Sequence, residues 1–397
     1  MGSLYLFLLN HILRLQMLPV SIRSKFLGRY ISRQLCDADS DCGTDDFDSG
    51  HDGSSESEVD EELLSSTATW GPPHQRDRRA VNNFSSGAVG INLNEAPGVN
   101  KESAPLCVFM LYFAGIIQLL VEETDRYYHQ DLDRLEDGPS PRPDVTDSEI
   151  FLFLGIISQM GHNIRDRLKD YWSTAEQFCT PFYSNTMKRE CFLRILHFIH
   201  FADNSTEIDR NADSYDGQWK IRIIFDTLND AYQKYYNPSQ HLSVDEIIVR
   251  LKGRLVFRQY IPKKHKCFGI KIYKRCDAAG YTHDMKVYLG KDRTRADRDV
   301  TATHATVRDL CRRVERVGHK PYMDSFFSSP DLFDELMTKK ISCCGTLRPN
   351  RKGLPQDFRN RQLRLKKGDI RVRVRVDMTA LVWKDKHALS SNRRQIL

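Results

Sequence analysis

Apolar positions repeat in two regimes along the chain: three or four residues apart up to about residue 240, and two apart beyond it. The first regime predicts amphipathic helices in LCVFMLYFAGIIQLLVEETDRYY (106–128), DSEIFLFLGIISQMG (147–161), SNTMKRECFLRILHFIHF (184–201) and WKIRIIFDTLNDAYQKYY (219–236). The second of these opens on acids, as a helix N-terminus favours. From His241 the alternation of LVFRQYI (255–261), GIKIY (269–273) and MKVYL (285–289) predicts strands of one sheet. The pattern then predicts a helix over 301–318, a strand KPYMDSFF (320–327), a helix over 329–340 and a strand ISCCGTLR (341–348). In IRVRVRV, Ile370, Val372, Val374 and Val376 should face one way and Arg371, Arg373 and Arg375 the other. TALVWKDKHALSSN (379–392) adds a strand and a turn. The expected class is α/β, a mixed sheet with flanking helices, preceded by an all-α region.

Charge divides the chain further. The formal net charge is +6, but residues 1–36 hold five Lys or Arg and no acid, and residues 37–62 hold twelve acids and no Lys or Arg. The remainder is therefore strongly basic, an arrangement that suits nucleic-acid binding. Residues 37–104 bury too little to order, so 1–104 is expected to be a disordered tail, basic and then acidic. The first 36 residues superficially suit a transit peptide or signal sequence, yet LYLFLL has no basic residue before it and no small-residue cleavage site after it. A variable N-terminus is the expectation. Ten cysteines without a C-x-x-C pair argue against a disulfide framework and a zinc knuckle. No apolar run approaches about 18 residues, so no membrane span is expected. His197 and His200 have i, i+3 spacing, but on a Leu/Ile/Phe-rich helix without a third ligand they are expected to pack.

The stretch His241–Gly290 carries the chemistry. Asp245 and Glu246 interrupt an apolar run, and from Ile247 to Cys276 there follow ten Lys or Arg and no acid. A carboxylate beside a cationic, strand-rich surface suits a metal-dependent enzyme acting on a polyanion. VDEIIVRLKGR, followed by QYIPKKHKCFGIKIYKRCDAAGY, resembles the core of the piggyBac family of DNA transposases and their cellular derivatives, with His265 where proline is usual. ETDRYY, GHNIRDRLKDYWS and LHFIHFADN extend the resemblance over about residues 105–397. It implies a helical dimerisation and DNA-binding region over 105–240. It also implies an RNase H-like catalytic domain over 241–397, incomplete at the C-terminus.

By that resemblance Asp245 and Asp324 are the first two catalytic and metal-binding aspartates, with Mg²⁺ as the implied cofactor, DNA as substrate and a homodimer in the nucleus as the working form. The implied reaction is cutting and joining at TTAA sites through hairpin ends. Mg²⁺ takes hard oxygen ligands, and strand transfer needs two ions about 3.5–4 Å apart. The family's third carboxylate lies in a downstream G-G-V-D-x-x-D-Q segment that this sequence lacks; Asp377 and Asp385 are poorly placed substitutes. The expectation is therefore a domesticated DNA-binding protein without strand transfer. The alternatives are an active transposase whose C-terminus is missing here, and a decayed, poorly folding copy. Arg250, Lys252, Arg254, Lys263, Lys264, Lys266, Lys271, Arg351 and Lys352 are the candidate phosphate contacts. Phe257, Tyr260 and Phe268 interleave the first cluster and are candidates to stack on unpaired bases, although at least two are expected in the core.

Overall fold

The computed structural model describes residues 69–73, 82–96, 98–100, 102–133, 142–209, 212, 215–250, 257–261, 268–290, 300–359, 365, 366, 368–384 and 393–396. For Arg250 and 393–396 it describes the backbone only. The chain forms two compact units. One draws on Val99–Ala231 and Val249–Gly269, the other on Glu58–Gly98, Tyr232–Ile248 and Ile270–Leu397.

The helical unit contains α1 (Pro105–Leu132), α2 (Asp147–His162), α3 (Pro181–Thr186) and α4 (Arg189–Phe198), and α5 (Trp219–Lys234) begins in it. Proline at the first position starts α1, where its missing N–H leaves no bond unmade. A reciprocal capping box between Thr146 and Glu149 starts α2. Phe113, Ile116, Ile117 and Leu120 of α1 are buried, as are Ile150, Phe153, Ile157 and Phe192 of α2 and α4. Each such side chain contributes roughly 1.5–3 kcal/mol by leaving water. The helix expected over 184–201 is in fact two, because Met187 and Lys188 are extended. By length and composition α1 is apolar enough to cross a membrane, contrary to the estimate from unbroken apolar runs. It packs against α2 and α4. His200 is buried, stacked 3.9 Å from Tyr127, and its Nε2 lies 3.3 Å from Asn204 Oδ1. His197 meets Phe198 edge-on.

The second unit holds a small antiparallel pair, β1 (Gly90–Ile91) on β2 (Tyr236–Asn237), and the main sheet. That sheet is built from β3 (His241–Arg250), β5 (Phe268–Asp277), β6 (Thr282–Val287), β7 (Lys320–Met323), β8 (Cys344–Thr346), β9 (Ile370–Arg375), β10 (Met378–Trp383) and β11 (Arg393–Ile396). A two-residue strand, β4 (Gln259–Tyr260), precedes β5. The order is β4-β5-β3-β7-β8-β11-β10-β9, with β6 also on β5; β3, β7 and β8 are parallel and the far strands antiparallel.

Two helices cover the core: α6 (Ala302–Cys311), capped by Thr301, and α7 (Pro330–Thr338), capped by Ser329; α8 (Gln356–Arg359) follows. Val307, Leu310, Leu332, Phe333 and Leu336 meet Leu242, Val244 and Val382 in one apolar cluster. Arg275 of β5 is wholly buried and donates to Leu310 O (2.5 Å) and to His283 Nδ1. Burial first, and the neighbouring guanidinium second, push His283 down to about 3.

The last strands depart from the alternation. A two-residue turn at Val376–Asp377 joins β9 to β10, and Val376 takes a left-handed backbone (φ 50°) and is 74% exposed. Arg375 is buried instead, paired with Asp334 and lying 5.0 Å over the Trp70 ring. Strand β11 inserts between β8 and β10 although its sequence, RRQI, shows no apolar period.

Candidate active site

Strands β3 and β7 run parallel in the register Ser243↔Tyr322 and Val244↔Met323. The next residues are Asp245 and Asp324, so the two acids follow the last paired residues of neighbouring strands, which lie about 4.8 Å apart. Leu242, Val244, Pro321 and Met323 are buried, while Ser243, Tyr322 and both aspartates are exposed. Apolar alternation thus fixes the direction of the acids. On the same face His241 Nδ1 lies 3.0 Å from the Tyr322 hydroxyl.

The turn after β7 holds Asp324 in place. Its Oδ1 accepts from the backbone N–H of Phe326 (2.9 Å) and of Phe327 (3.4 Å), an Asx turn. Its backbone carbonyl accepts from the Ser328 hydroxyl at 2.8 Å. The Arg351 guanidinium donates to the carbonyls of Ser325 (3.2 Å) and Phe326 (2.7 Å). Gly345 of β8 passes so close that a Cβ there would lie 2.2 Å from Ser328 Oγ and 2.8 Å from Met323 O. The Lys271 ammonium sits 4.4 Å from the Phe326 ring centre and 5.0 Å from that of Tyr273.

The Asp324 carboxyl is raised above its ordinary 3.8, first by desolvation and then by the charges of Glu246 and, less strongly, Asp245. Although its surface is exposed, neighbouring protein replaces enough water on one side to disfavour the anion. Glu246 also raises Tyr273, after burial and Tyr288. Sequence reasoning assigned Glu246 no role; its signal was its adjacency to Asp245, which puts a second acid on the same strand. A cation beside the Asp245–Asp324 pair would relieve this repulsion, and two carboxylates with water suit one Mg²⁺. Among the described residues no group of three His, Cys, Asp or Glu comes together to hold a metal. Among the described residues the pair therefore supplies two of the carboxylates that a metal clamp needs.

The remaining candidates are dispersed. Lys271 and Arg351 flank the Asp324 turn, and Lys352 is exposed. The side chain of Arg250 and all of Lys252, Arg254, Lys263, Lys264 and Lys266 lie outside the described residues, as does Asp385. Asp377 sits in the β9–β10 turn. Strands β8 and β11 separate β10 from β7, so Asp377 lies on the order of 14 Å or more from the pair.

A mixed sheet flanked by helices, with acids following adjacent parallel strands, has the arrangement of an RNase H-like domain. The family model described as Transposase IS4 matches residues 105–393, and the chain belongs to that family, among the piggyBac-type transposases. It is 26% identical over 256 residues to human PiggyBac transposable element-derived protein 2, covering 64% of this chain and 41% of that protein. To human PiggyBac transposable element-derived protein 5 it is 22% identical over 291 residues, covering 68% of this chain and 53% of that protein. The chain thus spans about half or less of these relatives' length. The cryo-EM structure of a piggyBac transposase synaptic complex with hairpin DNA superposes with a TM-score of 0.64 at 25% identity, over 78% of this chain and 63% of that one.

Proposed function

We propose that this polypeptide binds DNA as a piggyBac-derived protein and does not by itself carry out strand transfer. One observation carries the DNA binding: strand β3 presents Asp245 and leads directly into a stretch with ten Lys or Arg and no acid. Those cations supply phosphate affinity with little sequence information. The similar transposase solved with hairpin DNA supports the choice of partner. When bound, a divalent cation supplies neutralisation of phosphate charge. On this chain Asp245 and Asp324 would hold it, the Asx turn and Arg351 would orient Asp324, and Lys271 would add a positive charge beside it. A homodimer and a nuclear location belong to the same proposal.

Binding should be steeply salt-dependent. With about six phosphate contacts, affinity falls roughly 10³-fold between 50 and 200 mM salt. Lys252→Glu with Lys264→Glu should flatten that slope, and Asp245→Asn should leave it unchanged. Salt-independent or undetectable binding would sink the proposal. The carboxylate pair itself favours a second reading, Mg²⁺-dependent DNA cleavage. It predicts nicking that is lost in both Asp245→Asn and Asp324→Asn.

A further inference from the structure

Strand β4 pairs antiparallel with the start of β5 in the register Gln259↔Gly269 and Tyr260↔Phe268. Cross-strand partners project their side chains to the same side. The two rings accordingly lie side by side, 4.5 Å between centres and tilted by 31°. Both face water: Tyr260 is 60% exposed and Phe268 44%. The Arg258 guanidinium lies 5.0 Å from the Phe268 ring centre. Phe257 behaves differently. It is 2% exposed, and a Cβ at Gly217 would touch its ring at 3.4 Å, so it anchors the segment from which Tyr260 projects. Of the three aromatics interleaved with the cations, one is therefore core and two are surface, the reverse of the expected balance.

Two adjacent exposed rings with a guanidinium on one of them offer flat π-faces beside positive charge. In the sequence, Lys263, Lys264 and Lys266 lie between the two ring-bearing residues, and no acid occurs from Ile247 to Cys276. A ligand matching both properties has flat unsaturated faces and a regular negative backbone. We propose that Tyr260, Phe268 and Arg258 form a stacking platform for unpaired bases of single-stranded DNA. Every base has a π-face, so the platform grips a strand without reading its sequence. Duplex DNA, whose bases already stack on one another, meets only the cations. This inference rests on the DNA-binding proposal above and adds the unpaired strand as a distinct ligand form.

The test uses the full chain and two fluorescein-labelled probes, a mixed-sequence single strand and its duplex, with a 2-aminopurine in the single strand to report stacking. Tyr260→Ala and Phe268→Ala should each weaken single-strand binding about tenfold and abolish the 2-aminopurine change. Duplex affinity and melting temperature should stay near wild type. Tyr260→Phe keeps the ring and should restore both single-strand signals. Failure of the wild type to bind the duplex would remove the DNA-binding proposal itself. Duplex binding with no single-strand binding, or with single-strand binding indifferent to both alanine variants, would overturn the platform alone. Ring-dependent binding of an acidic peptide as tight as that of the single strand would also overturn it, in favour of a protein partner.

Discussion

The middle and the edge of the main sheet treat charge in opposite ways. Following β3 and β7, buried Val244 and Met323 turn the acids Asp245 and Asp324 outward, where desolvation, then Glu246 and then Asp245 disfavour the Asp324 anion. At β9, a two-residue turn draws Arg375 inward, where Asp334 and the Trp70 ring surround it. The middle keeps destabilising charges accessible, and the edge uses a charge to close the fold. Accessible like charges suit the proposed cation site; the paired, half-covered Arg375–Asp334 contact serves packing.

The largest separation between the two regions should come from Arg375→Ala. It strands Asp334, uncovers Trp70 and costs about 2–3 kcal/mol, less than a fully enclosed pair because Asp334 is partly solvated. Denaturant melts would show this, with cation affinity unchanged. Gly345→Ala should cost about 1–3 kcal/mol, since the added methyl must displace Ser328 or the Met323 carbonyl. Unlike the first variant, it should also weaken Mn²⁺ binding measured calorimetrically, because it moves the Asp324 turn. Arg351→Ala removes two donors to that turn and should cost about 1 kcal/mol, with a several-fold loss of Mn²⁺ affinity. If Arg351→Ala weakened DNA and left Mn²⁺ binding alone, its role would be phosphate contact and not positioning.

The smallest effect has the opposite sign. Asp324 binds its proton more tightly in the folded chain, so its charge lowers stability above its raised pKa and does not below its ordinary 3.8. Asp324→Asn should raise the melting temperature by about 1–3 °C at neutral pH, a gain that shrinks as pH falls toward that range. A constant gain, or none, would remove the repulsion from the account. Mg²⁺ should stabilise the wild type and leave the variant unmoved.

Sequence alone marked the acid-presenting region, because Asp245 and Glu246 break an apolar run and KPYMDSFF reads as a strand; β3 spans His241–Arg250 around the first acid, and β7 ends at Met323 just before the second. The helices 105–132, 147–162 and 219–234 were equally legible from their period. The far edge was not. Perfect alternation in IRVRVRV hid the turn that reverses Arg375 and Val376, and RRQI forms β11 through backbone pairing that no side-chain pattern announces. Nor did sequence show that Arg351 braces the turn after Asp324, a contact across 25 and 26 residues. Local composition records charge but not the partner the fold brings to it.

The most direct test places the chain with a labelled TTAA-containing duplex and Mg²⁺, and runs the same sample on native and denaturing gels. The account predicts a retarded band whose DNA is intact, in wild type and Asp245→Asn alike. A metal-dependent cut strand that disappears with Asp245→Asn or Asp324→Asn would contradict it and establish an active transposase. Unretarded DNA at low salt would contradict the DNA-binding claim altogether.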